Sequence, residues 1–105
     1  MTALRIALAE DDDAVRQVVT EWLQELGHRV TAVADGRALL NVCRSRPIDV
    51  VVSDVRMPET DGLTAATAVR RERGIPVVLM SASWTPAEEK QAAGLGAMIL
   101  QKPFH

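Results

Sequence analysis

The sequence is poor in the features that mark secreted and membrane proteins. Its 105 residues include a single cysteine, Cys43, so no internal disulfide can form and nothing indicates a disulfide-stabilised framework. The first residues lack the basic-then-apolar order of a signal peptide, and no apolar run approaches the about 20 residues of a membrane span. We therefore expect a cytoplasmic protein that does not contact membranes.

An excess of basic residues is also missing. The chain carries 12 basic and 14 acidic residues, for a net charge of −2, and no basic stripe offers a surface for direct nucleic-acid binding. The densest basic cluster, 70–73, falls where a helix should end, and the helix dipole favours cations there. Apolar and charged contents of 48% and 25% argue against a disordered or fibrous chain, so we expect one globular domain over residues 1–105.

Short apolar runs alternate along the chain with segments whose apolar residues recur at helical spacing. The predicted strands cover 4–9, 29–34, 48–52, 76–80 and 97–101. The predicted helices cover 15–26, 38–43, 63–73 and 86–93. This order predicts an α/β fold with three layers, in which helices cover both faces of a doubly wound, five-stranded parallel sheet.

Polar residues follow the predicted strands at their carboxyl ends, where sheets of this kind bind ligands. The acidic run 10–13 follows the first strand, and Asp54 ends the third. Ser81 ends the fourth strand, and Lys102 follows the fifth. We expect three acids, a hydroxyl and an ammonium group to converge at one edge of the sheet.

This combination of side chains indicates phosphoryl transfer. Two carboxylates about 4 Å apart repel by roughly 4 kcal/mol at an effective dielectric of about 20, and Mg²⁺ would offset that repulsion because it prefers oxygen ligands. A bound Mg²⁺ would also keep Asp54 ionised as a nucleophile, while Lys102 and Ser81 hold the remaining phosphoryl oxygens. A cis bond between Lys102 and Pro103 would aim the lysine over the sheet edge.

Taken together, five segments resemble the receiver domains of response regulators in two-component signalling, which are CheY-like proteins. The resemblance covers nearly the whole chain and is carried by Ile6–Asp12, Ser53–Pro58, Asp61–Leu63, Met80–Ala82 and Lys102–Phe104. It implies a flavodoxin-like sheet of order 2-1-3-4-5. It also implies that Mg²⁺ is held by Glu10, Asp11, Asp54 and the backbone carbonyl of Arg56.

The resemblance further implies a role for each remaining site residue. Asp54 would receive its phosphoryl group from a histidine kinase or a histidine phosphotransfer protein, Ser81 would be the switch hydroxyl, and Lys102 would bind the phosphate. The chain would then be a signalling phospho-acceptor that promotes its own phosphorylation and dephosphorylation, rather than an enzyme acting on a separate substrate. It would switch an output domain, a downstream protein or a second copy of itself.

Two features depart from the family pattern. Ile99 stands where the family usually has Tyr or Phe, and the loop before it, 96–98, is one residue shorter than is typical. The family continues past Lys102-Pro103-Phe104 into a fifth helix, whereas this chain stops at His105. We therefore expect a domain truncated before its last helix, with an exposed apolar patch on the sheet face that the helix would cover. A helix supplied by a partner and a natural short form are the alternatives.

Three other functions are open to such a chain. The first is a receiver-like module that binds partners without phosphorylation. Ile99 and the missing fifth helix favour it, whereas the intact set of acids, hydroxyl and lysine argues against it. A small phosphatase resembling haloacid dehalogenases would place its Asp-x-Asp motif after the first strand, whereas the best nucleophile here, Asp54, follows the third. A flavin carrier would need a glycine-rich phosphate loop after the first strand, where this chain has four acids.

Several further residues have a purely structural interpretation. The acids at 12 and 13 are candidate helix caps, and Asp61 with its following glycine indicates a turn and a helix start. Cys43 and Trp22 are predicted to be core residues, and Trp84 to pack within a loop near the site. His28 is predicted to lie on the surface without a role.

Overall fold

The structure, a computed structural model, describes residues 3–57 and 60–102, in which strands and helices alternate. The strands are β1 (Arg5–Ala9), β2 (Arg29–Val33), β3 (Val50–Asp54), β4 (Val77–Ser81) and β5 (Met98–Gln101). The helices are α1 (Asp13–Glu25), α2 (Gly36–Ser45), α3 (Gly62–Arg73) and α4 (Pro86–Gly94). The predicted succession of elements is confirmed. None of the helices in the described ranges is long and apolar enough to cross a membrane.

The five strands form one parallel sheet of order β2-β1-β3-β4-β5, as predicted. The chain runs outward from β1 to β2 and then returns to the other side of β1 to begin β3. Strand order therefore reverses between β1 and β3, which places the ligand-binding crevice of such sheets at the carboxyl ends of these two strands.

Side chains of neighbouring residues in each strand point to opposite faces, which divides the core into two clusters. On one face, Leu8 and Met80 pack with Val19 of α1. On the other face, Ala7 and Leu79 belong to a larger cluster that includes buried residues of α2, α3 and α4. The predicted three layers are therefore present, with α1 on one side of the sheet and α2–α4 on the other.

Each helix begins at a side chain that accepts a backbone N–H of its first turn. Asp12, Asp35, Asp61 and Thr85 are these N-caps, and Thr85 forms a full capping box with Glu88. The predicted caps at residue 12 and at Asp61 are confirmed. Because the caps directly follow the strand-end loops, they fix the helix N-termini beside the carboxyl edge of the sheet.

The start of α3 lies unusually close to the end of β3. The Gly62 N–H donates to the Val55 carbonyl at 2.8 Å, and a Cβ at Gly62 would lie 1.9 Å from the Asp54 carbonyl oxygen. Only glycine therefore allows α3 to begin at this position. The contact ties α3 directly to the backbone of the candidate phosphoryl acceptor.

Trp22 is not a core residue, so that prediction is wrong. Its side chain is 42% exposed, whereas Val15, Val19 and Leu23 of the same helix pack against the sheet. Residues 15, 19 and 23 form one row on the helix surface, and Trp22 lies about 100° around the helix axis from Leu23. The apolar stripe of α1 is thus wider than the surface that the sheet buries.

The predicted exposure of apolar side chains is confirmed. Met98 and Leu100 of β5 pair with Val78 and Met80, so they share the sheet face that carries α1. Met98 is 64% exposed, and Leu100 is exposed as well. Large apolar residues are also exposed on α1, at Val18, Trp22 and Leu26.

Candidate functional site

The predicted site residues converge at the carboxyl edge of the sheet. Glu10, Asp11 and Asp54 each present a carboxylate oxygen within 4.8 Å of the others. Lys102 reaches two of these carboxylates, and Ser81 ends the strand that separates Lys102 from Asp54. The sequence prediction that acids, hydroxyl and ammonium meet at one edge is therefore confirmed.

Strand register explains why the acids meet. Ala9 of β1 lies opposite Ser53 of β3, so the residues that follow them, Glu10 and Asp54, are neighbours across the two strands. The Glu10 N–H donates to the Val33 carbonyl at 3.0 Å, which continues the sheet one residue beyond β1 and buries Glu10. Asp54 is buried at the end of its strand, whereas Asp11 is exposed.

Lys102 provides the positive charge of the site. Its backbone N–H donates to the Ser81 carbonyl at 2.8 Å, which holds it beside the end of β4. Its Nζ lies 3.1 Å from Asp54 Oδ2 and also forms an ion pair with Glu10 Oε1. The lysine side chain is only 17% exposed, so both ion pairs are shielded from water. One ammonium group thus bridges two buried carboxylates.

The pKa values of Glu10 and Lys102 are both raised, for different physical reasons. Burial raises the pKa of Glu10 to about 7, against the opposing effect of the hydrogen bond from Lys102. Burial acts to lower the pKa of Lys102, but its hydrogen bonds to Glu10 and Asp54 outweigh that effect, and the pKa is raised. The three carboxylates together carry more negative charge than the lysine neutralises, which favours a divalent cation.

The donor set fits Mg²⁺. The ligand atoms on offer are carboxylate oxygens, and Mg²⁺ binds proteins through a few carboxylates while keeping several waters. Exposed Asp11 gives the cluster an open side toward water, and buried Glu10 and Asp54 give it a fixed side. The ligand role of the Arg56 carbonyl stays a prediction.

The Ser81 hydroxyl is held by the loops that follow β3 and β4. Its Oγ accepts from Arg56 Nη1 at 2.9 Å and from the Ser83 N–H at 3.2 Å, and it donates to the Ser83 carbonyl at 3.1 Å. The second arm of the guanidinium, Nη2, donates to Glu88 Oε1 at 3.0 Å. Sequence reasoning missed this link, because it depends on the conformation of two loops rather than on periodicity.

The remaining predictions near the site have mixed outcomes. Trp84 is half-buried against the core and donates from Nε1 to the Leu100 carbonyl at 3.1 Å, in agreement with loop packing. Ile99 is exposed on β5, and its effect on switching stays a prediction. Pro103 and Phe104 lie outside the described residues, so the proposed cis bond stays a prediction as well.

Two residues far from the edge have structural roles. Cys43 is buried as predicted, and burial raises the pKa of its thiol. His28 is half-buried in the turn after α1, where its Nδ1 accepts from the Leu4 N–H at 3.1 Å. Its imidazole thus helps to fix the entry into β1.

Known proteins match both the sequence and the fold. Residues 6–105 match the family described as "Response regulator receiver domain". The transcriptional regulatory protein PdtaR of Mycobacterium tuberculosis is 33% identical over 102 residues, which are 95% of this chain and 50% of that protein. The transcriptional activator protein PfeR of Pseudomonas aeruginosa is 37% identical over 103 residues, which are 95% of this chain and 33% of that protein. The chain thus spans half or less of the length of these relatives.

Solved structures agree closely with the fold. The chemotaxis protein CheY4 of Vibrio cholerae superposes with a TM-score of 0.90 at 30% identity, covering 99% of this chain and 90% of that one. The receiver domain of the sensor histidine kinase PA1611 of Pseudomonas aeruginosa superposes with a TM-score of 0.86 at 28% identity, covering 99% and 88%. That structure has a magnesium ion coordinated in its active-site cleft.

Proposed function

Because this chain belongs to the response regulator receiver domain family, we propose that it accepts a phosphoryl group on Asp54 in a Mg²⁺-dependent reaction. One observation carries the proposal. The buried Asp54 carboxylate ends β3 beside Glu10 and Asp11, with the Lys102 ammonium 3.1 Å from one of its oxygens. One edge of the sheet thus carries groups with the chemistry of a nucleophile, of metal ligands and of a phosphate-binding cation.

The reaction follows from the chemistry of these groups. An Asp54 oxygen attacks the phosphorus of a phosphohistidine, the new P–O bond forms, and the P–N bond to the donor imidazole breaks with its electrons leaving on nitrogen. Glu10, Asp11, Asp54 and the Arg56 backbone carbonyl would hold a Mg²⁺ ion, which would neutralise charge on the phosphoryl oxygens. Lys102 turns from the carboxylates toward a phosphoryl oxygen, which it can reach because its Nζ already touches Asp54.

Ser81 couples the reaction to the protein surface. In the unphosphorylated chain its hydroxyl donates to the Ser83 carbonyl, so contact with the phosphoryl group requires that hydrogen bond to break. The loop 82–85, which leads into α4, thereby loses one of its hydrogen bonds to the end of β4. The face formed by α4 and β5 becomes the surface that differs between the two states.

Partners belong to the same proposal. A histidine kinase or a histidine phosphotransfer protein supplies the phosphoryl group, and an output domain, a downstream protein or a second copy of the chain receives the signal. The relatives named as transcriptional regulators are about twice the length of this chain or longer, which leaves room in those proteins for a second domain. We place no enzymatic turnover of a separate substrate at this site.

Intact-mass spectrometry after incubation with acetyl phosphate tests the proposal. The wild-type chain should gain one phosphoryl group when Mg²⁺ is present and none when it is chelated. Asp54→Asn should gain none, with circular dichroism confirming that both proteins are folded. A folded wild-type chain that never gains the group, or a variant that still gains it, contradicts the proposal and favours a receiver-like module that binds partners without phosphorylation.

A further inference from the structure

The side chain of Arg56 lies between the candidate site and α4. Its Nη1 donates to Ser81 Oγ at 2.9 Å, and its Nη2 donates to Glu88 Oε1 at 3.0 Å. Ser81 belongs to the proposed phosphoryl site, whereas Glu88 lies in the first turn of α4. One guanidinium group therefore joins the candidate site at the sheet edge to α4, the helix that follows the loop 82–85.

A second hydrogen bond holds Glu88 in place independently of Arg56. Glu88 Oε1 also accepts the Thr85 N–H at 3.0 Å as part of the capping box, so the carboxylate stays in place without Arg56. Arg56 is half exposed, and such an ion pair contributes little to stability. The guanidinium can therefore leave Glu88 at small cost, while Glu88 remains anchored at the start of α4.

Phosphorylation changes the balance of charge at the site. Lys102 is already shared between two carboxylates, and a phosphoryl group carries about one more negative charge than the Asp54 carboxylate that it replaces. Arginine keeps its charge at any physiological pH, and its planar fork suits phosphate oxygens. The Arg56 fork already donates to the Ser81 hydroxyl, which is the group that the proposed function brings to the phosphoryl oxygens.

We propose that Arg56 is a second phosphoryl-binding cation, which exchanges Glu88 for the phosphoryl group when Asp54 is phosphorylated. The inference rests on the proposed function. The exchange leaves the Glu88 carboxylate without its cation, in a groove between α3 and α4 that is also lined by Arg71 and Gln91. Phosphorylation of Asp54 thus makes the surface of α4 more negative, because Arg56 moves from Glu88 to the phosphoryl group.

Substitutions of Glu88 and of Arg56 should change the rate of phosphorylation in opposite directions. Glu88→Gln removes the negative charge that holds Arg56 and keeps an oxygen for the Thr85 N–H, so the initial rate of phosphorylation by acetyl phosphate should rise about two- to fivefold. Arg56→Ala removes the second cation, so the rate should fall by a similar factor. Arg56→Lys keeps the charge without the fork and should lie between Arg56→Ala and the wild type.

Glu72→Gln is the matched control. It weakens the Arg44–Glu72 pair, another half-exposed arginine–glutamate contact, which joins α2 to α3, and it should leave the rate unchanged. Rate changes of the same sign in Glu88→Gln and Arg56→Ala would show a purely structural ion pair and overturn the inference. So would an Arg56→Ala variant that is phosphorylated at the wild-type rate.

Hydrogen exchange gives a second readout in the same proteins. Phosphorylation should increase amide exchange in residues 85–91 more strongly in the wild type than in Arg56→Ala, in which only the Ser81 contact changes. Equal responses in both proteins would overturn the inference even if the rates differ. Failure of the wild type to be phosphorylated with Mg²⁺ would overturn the proposed function itself, whereas failure of the variant pattern alone would overturn only the role of Arg56.

Discussion

At the scale of single residues, Lys102 contacts carboxylate oxygens that a metal ion would also bind. Its Nζ contacts both Glu10 and Asp54, which are two of the three carboxylates on offer to a cation. The lysine therefore stabilises the buried acids when no cation is bound. It also repels any divalent cation that approaches the same oxygens.

Lys102→Gln should bind Mg²⁺ about tenfold more tightly than the wild type, because a unit positive charge near the metal is removed. The same variant should be phosphorylated more slowly, since the phosphoryl oxygens lose their ammonium donor. Calorimetric titration with Mg²⁺ measures the first effect and intact mass the second. Lys90→Gln, which removes an exposed charge on α4, is the control. Weaker Mg²⁺ binding by Lys102→Gln contradicts this view of the lysine.

A second prediction concerns the amino end of the sheet. The Arg5 side chain and N–H both donate to Asp49, and this hydrogen bonding lowers the pKa of Asp49 from 3.8 to about 2. Such a carboxylate stabilises the fold above its unfolded pKa, and the contribution is lost as the pH falls toward its folded pKa. Urea unfolding should show that Asp49→Asn is destabilising at about pH 6 and roughly half as destabilising at about pH 3. A difference that stays constant across this range rules out the ion pair as its cause.

At the scale of elements, the junction between β3 and α3 sets the position of Asp54. Gly62→Ala should lower the free energy of unfolding by about 2 kcal/mol or more, because its Cβ would overlap the Asp54 carbonyl. Gly94→Ala is the control, since nothing lies within 4 Å of its Cβ, and it should change stability by less than about 1 kcal/mol. Chemical denaturation measures both. Equal effects of the two substitutions would mean that the close approach of α3 does not constrain the strand.

The elements also show what sequence reasoning can and cannot reach. Periodicity located every strand and helix, and acids after apolar runs identified Glu10 and Asp54 as neighbours, because parallel register brings strand ends together. Trp22 was misplaced because an apolar stripe does not show how much of its width a sheet will cover. The contacts of Arg56 with Ser81 and Glu88 were missed because loop conformation decides them.

At the scale of the whole molecule, the sheet is covered unevenly. Helices α2–α4 contribute to a large core on one face, whereas the described part of the other face carries α1 alone and leaves Met98 and Leu100 exposed. Exposed apolar surface of this kind binds apolar dyes and promotes association. The chain should therefore bind the dye ANS in its native state.

Met98→Lys combined with Val18→Lys should reduce that dye binding with little loss of stability, because both side chains are already exposed. ANS fluorescence in native buffer measures the first effect and thermal unfolding the second. A variant with lysines in place of exposed polar residues, Gln17→Lys with Glu21→Lys, is the control. Unchanged dye binding in the Met98 and Val18 variant would place the dye-binding surface elsewhere.

The most direct test of the central claim is to identify the acceptor residue chemically. After incubation with acetyl phosphate and Mg²⁺, borohydride reduces an aspartyl phosphate to homoserine, which peptide sequencing by mass spectrometry locates. The account predicts homoserine at position 54 and at no other acidic residue, and none when Mg²⁺ is withheld. Reduction at Glu10 or Asp11, or a folded protein in which no residue is converted, would contradict it.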